Sequence, residues 1–172
     1  MEQALEAYSA LSFGYLPESV LYLALLILCL GCTLLLMRFG FKRGLRYSLA
    51  LLLAIYVVLL YCSTVFFRPP YHEPQYNLIP FWSYFAIVEG KEDLLSENLL
   101  NLIVFVPIGL LLGFIYRKGW LFTLMIGAGL SVGIEFFQFV LMRGFSEVDD
   151  VLHNTLGCML GYGLAVLLSD IG

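Results

Sequence analysis

Along most of this chain the apolar residues neither alternate nor recur in a stripe; they run on. Five runs, at roughly 19–37, 47–67, 98–116, 120–142 and 150–169, approach or exceed the ~20 apolar residues that a bilayer-spanning helix needs. The segments between them are unequal. Those at 38–46 (RFGFKRGLR) and 117–119 (RKG) are short and basic. The stretch from Arg68 to Glu97 is long, proline-rich and mostly acidic, and Gly144 to Asp149 is short and acidic. The pattern predicts an all-α, polytopic integral membrane protein of five transmembrane helices, forming one membrane domain over 1–172.

Composition sharpens this. Of 172 residues, 61% are hydrophobic and 13% charged, whereas about a quarter of a soluble domain is charged. That shortfall excludes an ordinary globular domain and suits a solvent in which each ionised group is costly. A net charge of -4 offers no basic footprint for nucleic acid. The opening residues, MEQALEAYSALSFGYLPES, hold three glutamates and no Lys or Arg, unlike the positive start of a cleavable leader, so the first apolar run is expected to persist as a span. The four cysteines, Cys29, Cys32, Cys62 and Cys158, all fall in apolar runs. Cys29-Leu30-Gly31-Cys32 matches a redox spacing, but with no His or acid beside it these read as small hydrophobes.

Basic residues gather on the cytoplasmic side of a membrane. With the N-terminus outside and the C-terminus inside, Arg38, Lys42, Arg43, Arg46, Arg117 and Lys118 are cytoplasmic, and only Arg68, Lys91 and Arg143 are not. The polar residues joining spans four and five then lie at the outer face, together with the 68–97 loop. Within that loop, 77–85 (NLIPFWSYF) has Pro80 where a helix can start and Phe81, Trp82, Tyr84 and Phe85 suited to headgroup depth. The run is too short to span, so a short interfacial or re-entrant helix is expected in the extracellular loop. Pro107 should kink span three unless neighbours satisfy the freed carbonyl.

Helices associate in lipid where small residues let backbones approach. Gly109-x-x-x-Gly113, Gly129-x-x-x-Gly133 and Gly157-x-x-x-Gly161 place such a pair on each of spans three, four and five. These spans are expected to form the core, with 1–67 contributing two flanking spans. Helical offsets set polar residues above the glycines: Asn98 and Asn101 on span three, Asp150 and Asn154 on span five, and Glu135 with Gln138 on span four. Glu135 lies about 10–12 Å below Arg143 at 1.5 Å per residue, making Arg143 its nearest candidate partner, with His153 another. The plain alternative is that Glu135, Gln138 and Asn154 glue helices by hydrogen bonds worth about 1 kcal/mol each. For Asp149 it is an N-cap of span five, and for His153 a simple hydrogen bond.

Four blocks taken together carry a resemblance: Asn77-Leu-Ile-Pro-Phe81; Asn98-Leu-Leu-Asn101 through Pro107-Ile-Gly109 to Leu112; Ser131-Val-Gly-Ile-Glu135-Phe-Phe-Gln138; and Arg143 through Asp149-Asp150-Val-Leu-His153-Asn154-Thr-Leu-Gly157. The succession, over about 77 to 162, resembles the VanZ-like family of bacterial membrane proteins. The resemblance implies a core within 68–172, a bacterial cell-membrane location, and a link to resistance against the glycopeptide teicoplanin. It also implies kinship with membrane enzymes proposed to process lipid headgroups at the outer leaflet. The family's polar positions fall on Asn98, Asn101, Glu135, Gln138, Arg143, Asp149, Asp150 and Asn154.

On this basis the leading expectation is an enzyme acting on membrane lipids or a lipid-linked cell-envelope precursor. Glu135, Asp150 and His153 are its candidate catalytic groups. Asn77, Asn98, Asn101, Gln138, Arg143, Asp149 and Asn154 are expected to bind substrate, Arg143 through its planar fork. The acids could also hold a divalent cation bound to diphosphate. The alternatives are a non-catalytic protein that binds the glycopeptide antibiotic or shields its target, and a small transporter. The last is disfavoured because the polar groups crowd one end of the spans and no inverted repeat is evident.

Overall fold

A computed structural model describes residues 16–116 and 119–170; the glutamate-bearing start and the basic pair 117–118 lie outside the described residues. The order of elements is α1 (Glu18–Tyr61), a π-helical turn (Cys62–Phe66), β1 (Gln75–Asn77), α2 (Trp82–Val88), α3 (Asp93–Tyr116), α4 (Trp120–Leu141), β2 (Phe145–Glu147) and α5 (Val148–Asp170). The architecture is all-α, built from long apolar helices with the build of a membrane protein.

The basic segment 38–46 is not the loop expected. Helix continues through it except at Gly40, whose φ of 72° breaks the rod, a conformation that glycine adopts without a Cβ penalty. The two arms of α1, 18–39 and 41–61, fold back on each other there. Leu51 sits over Gly31, and a Cβ added to Gly44 would meet the Leu36 backbone at 2.8 Å. The arms differ in role. The first packs on the second where Leu51 covers Gly31, and an open apolar pocket lined by Ile27 and Ile55 lies between them. The second is no mere flank: Leu60 and Val65 belong to the central core with Phe105, Ile108, Leu112, Ile134 and Cys158. Its Tyr56 hydroxyl donates to the Val104 carbonyl at 2.8 Å, and Tyr61 to the Leu130 carbonyl at 2.9 Å. The Tyr56 bond lies one residue from the carbonyl that Pro107 deprives of its N–H, and α3 remains continuous past that proline.

Helices α3 and α5 form the most extensive pair, and the glycines explain why. A methyl added at Gly109 would collide with the Cys158 carbonyl; one at Gly157 or Gly161 would collide with the carbonyl of Leu102 or Val106. The two backbones touch without side chains between them. On α4 the expected glycine pair is not the packing face. Gly129 meets nothing within 4 Å, and Gly133 faces the Tyr61 ring. Instead Gly127, pressed on Cys158, and Ser131 face α5. Sequence spacing alone could not separate the two small-residue pairs, which are offset by two positions.

The connecting segments are ordered against one another. Strands β1 and β2 pair in parallel, Gln75 with Phe145 and Asn77 with Glu147, tying the 68–97 loop to the α4–α5 connection. The sequence pattern did not reveal this ribbon, since two three-residue strands have no period to read. Helix α4 ends in left-handed Met142, and Gly144 (φ 99°) turns the chain where a Cβ would press on Gln138 and on Arg68 Nη1 at 3.2 Å. The helix expected after Pro80 begins at Trp82, because Phe81 is left-handed (φ 64°).

Candidate functional site

At one end of the bundle, where α3, α4, α5 and the end of α1 meet, lies a polar cavity of about 40 Å³. Asn101 comes from α3, Glu135 and Gln138 from α4, Asp150 and Asn154 from α5, and Thr64 and Arg68 from the turn closing α1. Five of the sequence-predicted residues are thus together, and the glycine contact between α3 and α5 explains how. With those backbones touching, polar residues one to two turns further along face each other across a short gap.

Most of these polar groups have a defined partner. Asn101 Nδ2 donates to Asp150 Oδ1 at 2.6 Å, Asn154 Nδ2 to Ser131 Oγ at 2.8 Å, and Gln138 Nε2 to the Thr64 carbonyl at 3.1 Å. Glu135 Oε2 accepts the backbone N–H of Glu147 at 2.8 Å. The Arg68 charge acts on both Glu135 and Asp150. Gln138 Oε1, buried, has no hydrogen-bond partner among the described residues.

The other predicted site residues are elsewhere, for readable reasons. Arg143 does not reach Glu135; its Nη1 donates to the carbonyls of Phe66 and Arg68, holding the chain that carries Arg68. Asp149, fully buried, caps not its own helix but α2: Oδ1 accepts from Phe81 N at 2.5 Å, and Oδ2 from Ser83 N at 3.0 Å and Ser83 Oγ at 2.7 Å. Asn98 reinforces this by donating to Ser83 Oγ at 3.1 Å. His153 Nε2 shares a 2.7 Å hydrogen bond with the Tyr84 hydroxyl, again fastening α2. Asn77 turns its own loop, accepting from Ile79 N at 3.0 Å. Asp149, Asn98 and His153 therefore position helix α2.

Sequence reading missed Arg68, Thr64 and Glu147. Arg68 carried a signal, a lone arginine directly after a span and on the side assigned to the acids. Thr64 carried none. Glu147 Oε2 accepts from Trp82 Nε1 at 3.0 Å, and its carboxyl is pushed up to about 8, first by burial and then by the nearby Asp150 charge, against the Trp82 hydrogen bond. Burial thus favours its protonated form, the one able to donate a proton.

Beside the polar cavity runs an open apolar groove of about 500 Å³ between α4, the β1–β2 ribbon and α5, walled by Leu78, Val132, Phe136, Phe139 and Val151. Glu135 borders both spaces. Among the described residues no group of three or more His, Cys, Asp or Glu is arranged to hold a metal ion.

A membrane helical bundle with a carboxylate-lined cavity opening on an apolar groove defines the class, and comparison supplies the family. The VanZ/LLP1 family profile matches residues 47–169. The chain belongs to the VanZ/LLP1 family. It is 34% identical over 99 residues to the protein VanZ of Enterococcus faecium, an alignment covering 55% of this chain and spanning 56% of that relative. No solved structure matches. The profile begins thirty residues before the resemblance noted above and takes in the second arm of α1, which supplies Thr64 and Arg68.

Proposed function

We propose that the protein is a five-span enzyme of the bacterial cell membrane, N-terminus outside and C-terminus inside, that processes the headgroup of a membrane lipid or lipid-linked envelope precursor. The chain of this substrate lies in the groove and its head enters the cavity. The reading is carried by Glu135, which borders an acyl-sized apolar groove on one side and the polar cavity on the other. A soluble substrate needs no such groove, and a glue residue needs no cavity. Helix α2, fastened by Asp149, Asn98 and Tyr84–His153, lies at the membrane interface in this reading. The break at Gly40 supports reading α1 as two crossings; the positive-inside rule then assigns the basic segment to the inner side and the cavity to the outer.

In this reading Glu135 and Asp150 perform the proton transfer or attack, a role open to either carboxylate in a water-poor site. Glu147, whose protonated form burial favours, resupplies a proton. Arg68 takes the part expected of Arg143 and faces the phosphate, while Asn101 and Asn154 fix the geometry of the acids. Through this activity the protein contributes to teicoplanin resistance.

The test is to express Glu135→Gln and Asp150→Asn in a susceptible bacterial host, measuring teicoplanin susceptibility and the envelope lipids by mass spectrometry. Loss of a general acid or base should lower activity roughly 10²–10⁴-fold, returning susceptibility and lipid profile to those of the host without the protein. Wild-type behaviour of both variants at equal expression would remove the enzyme reading in favour of target shielding.

A further inference from the structure

The donors and acceptors of the polar cavity are unequally spent. The amide nitrogens of Asn101, Gln138 and Asn154 each donate to a protein oxygen, and the Thr64 hydroxyl donates to the Leu60 carbonyl at 2.7 Å. What remains toward the space is three acceptors, the carboxyl groups of Glu135 and Asp150 and Gln138 Oε1, beside one cationic group, the Arg68 guanidinium. That last oxygen matters most. Gln138 is 5% exposed, lines the cavity, and has its Oε1 unpartnered among the described residues. A buried acceptor without a donor is costly, and native structures leave few of them. It marks a place where a donor belongs.

Charge limits what that donor can be. The cavity is small, about 40 Å³, and a bare anion entering it would meet the carboxylates of Glu135 and Asp150 with like charge. An ammonium fits: it is compact, offers three donors and no acceptor, and complements two carboxyls and an amide oxygen.

We infer that the cavity receives the primary ammonium group of an amino-headgroup phospholipid, held by Glu135, Asp150 and Gln138 Oε1, while one acyl chain lies in the groove beside Val132 and Phe136. This rests on the lipid reading above and names the substrate class. Arg68, also lining the cavity, supplies the positive charge against which the lipid's phosphate rests. The zwitterion is matched end for end.

The experiment reconstitutes the full chain in nanodiscs of equimolar dioleoyl phosphatidylethanolamine, its N-acetylated form and dioleoyl phosphatidylglycerol, and reads retained lipid by native mass spectrometry. Acetylation keeps chains and phosphate but removes the cation. A charge-assisted contact of ordinary strength should enrich the free amine over the acetylated lipid on the order of tenfold. Glu135→Gln and Gln138→Leu should bring that ratio toward one, and Val132→Trp, which fills the groove, should lower retention of every lipid alike. Equal retention of the free and acetylated amines by the wild type, both displaced by Val132→Trp, would overturn the ammonium assignment and leave the lipid reading standing. Retention no different from bulk composition, with no effect of Val132→Trp, would remove both. A thermal shift by ethylammonium chloride without any lipid preference would reassign the cavity to a soluble amine and overturn the lipid part.

Discussion

Asp149 gives the sharpest quantitative expectation, because all its chemistry is directed at one seven-residue helix. Its carboxylate is fully buried and accepts three hydrogen bonds, from Phe81 N, Ser83 N and Ser83 Oγ. In Asp149→Ala two backbone N–H groups and the Ser83 hydroxyl lose their acceptor. Hydrogen bonds to charged groups contribute roughly 1.5–3 kcal/mol each, less what water returns when α2 lifts away. About 3 kcal/mol in total for detachment of α2 is a conservative sum, or roughly a hundredfold in the open population. Ala86 lies on the buried underside of α2 at 6% exposure. With the four native cysteines replaced, maleimide labelling of Ala86→Cys reports opening directly, since modification follows the population of the open form. Asp149→Ala should raise the labelling rate about a hundredfold, whereas Asn98→Ala, losing one neutral bond, should raise it about fivefold. A rate within twofold of the parent in Asp149→Ala would show that the capping carboxylate does not hold α2, and the positioning role would be wrong.

Three further outcomes follow from the same geometry. Gly157→Ala forces a methyl into the Leu102 carbonyl and should destabilise the detergent-solubilised protein by about 1–3 kcal/mol, while Gly129→Ala, facing open space, should be neutral or slightly stabilising; thermal unfolding distinguishes them. Glu147 should make stability fall with rising pH. Its folded value near 8 stands above the unfolded 4.5, so its contribution is complete below about 4.5 and is lost as pH climbs through 8. Glu147→Gln should flatten that part of the melting-temperature profile, and an unchanged slope would refute the assignment. Arg143→Ala should impair function through Arg68 rather than through Glu135. Its damage should therefore be non-additive with Arg68→Ala in a double-mutant cycle of teicoplanin susceptibility, an additive result counting against a shared route.

What was legible in the linear chain was what depends on spacing within one helix. Runs of apolar residues announced the long helices, and offsets of three, four and seven placed Asn101, Glu135, Gln138, Asp150 and Asn154 above small-residue faces. Those inferences concern a rod of known pitch and need no knowledge of neighbours. The glycine pairs on α3 and α5 could be read the same way, because only one small-residue face exists on each. On α4 two such faces compete, and the partner rather than the pattern selects Gly127 and Ser131 over Gly129 and Gly133. The assignment of side chains to partners lay beyond sequence for a similar reason. Arg143 was matched to Glu135 because both share a helix, yet a long flexible side chain reaches whichever carbonyl the fold presents, and the fold presents those of Phe66 and Arg68. Asp149 looked like the cap of the helix it begins. It caps another, because the parallel pairing of β1 with β2 carries α2 to its carboxylate, and three-residue strands leave no trace in a hydrophobic pattern. Helical periodicity thus determined which groups could share a face. Contacts between segments far apart in sequence, set by backbone approach and turn geometry, decided which of them share a cavity.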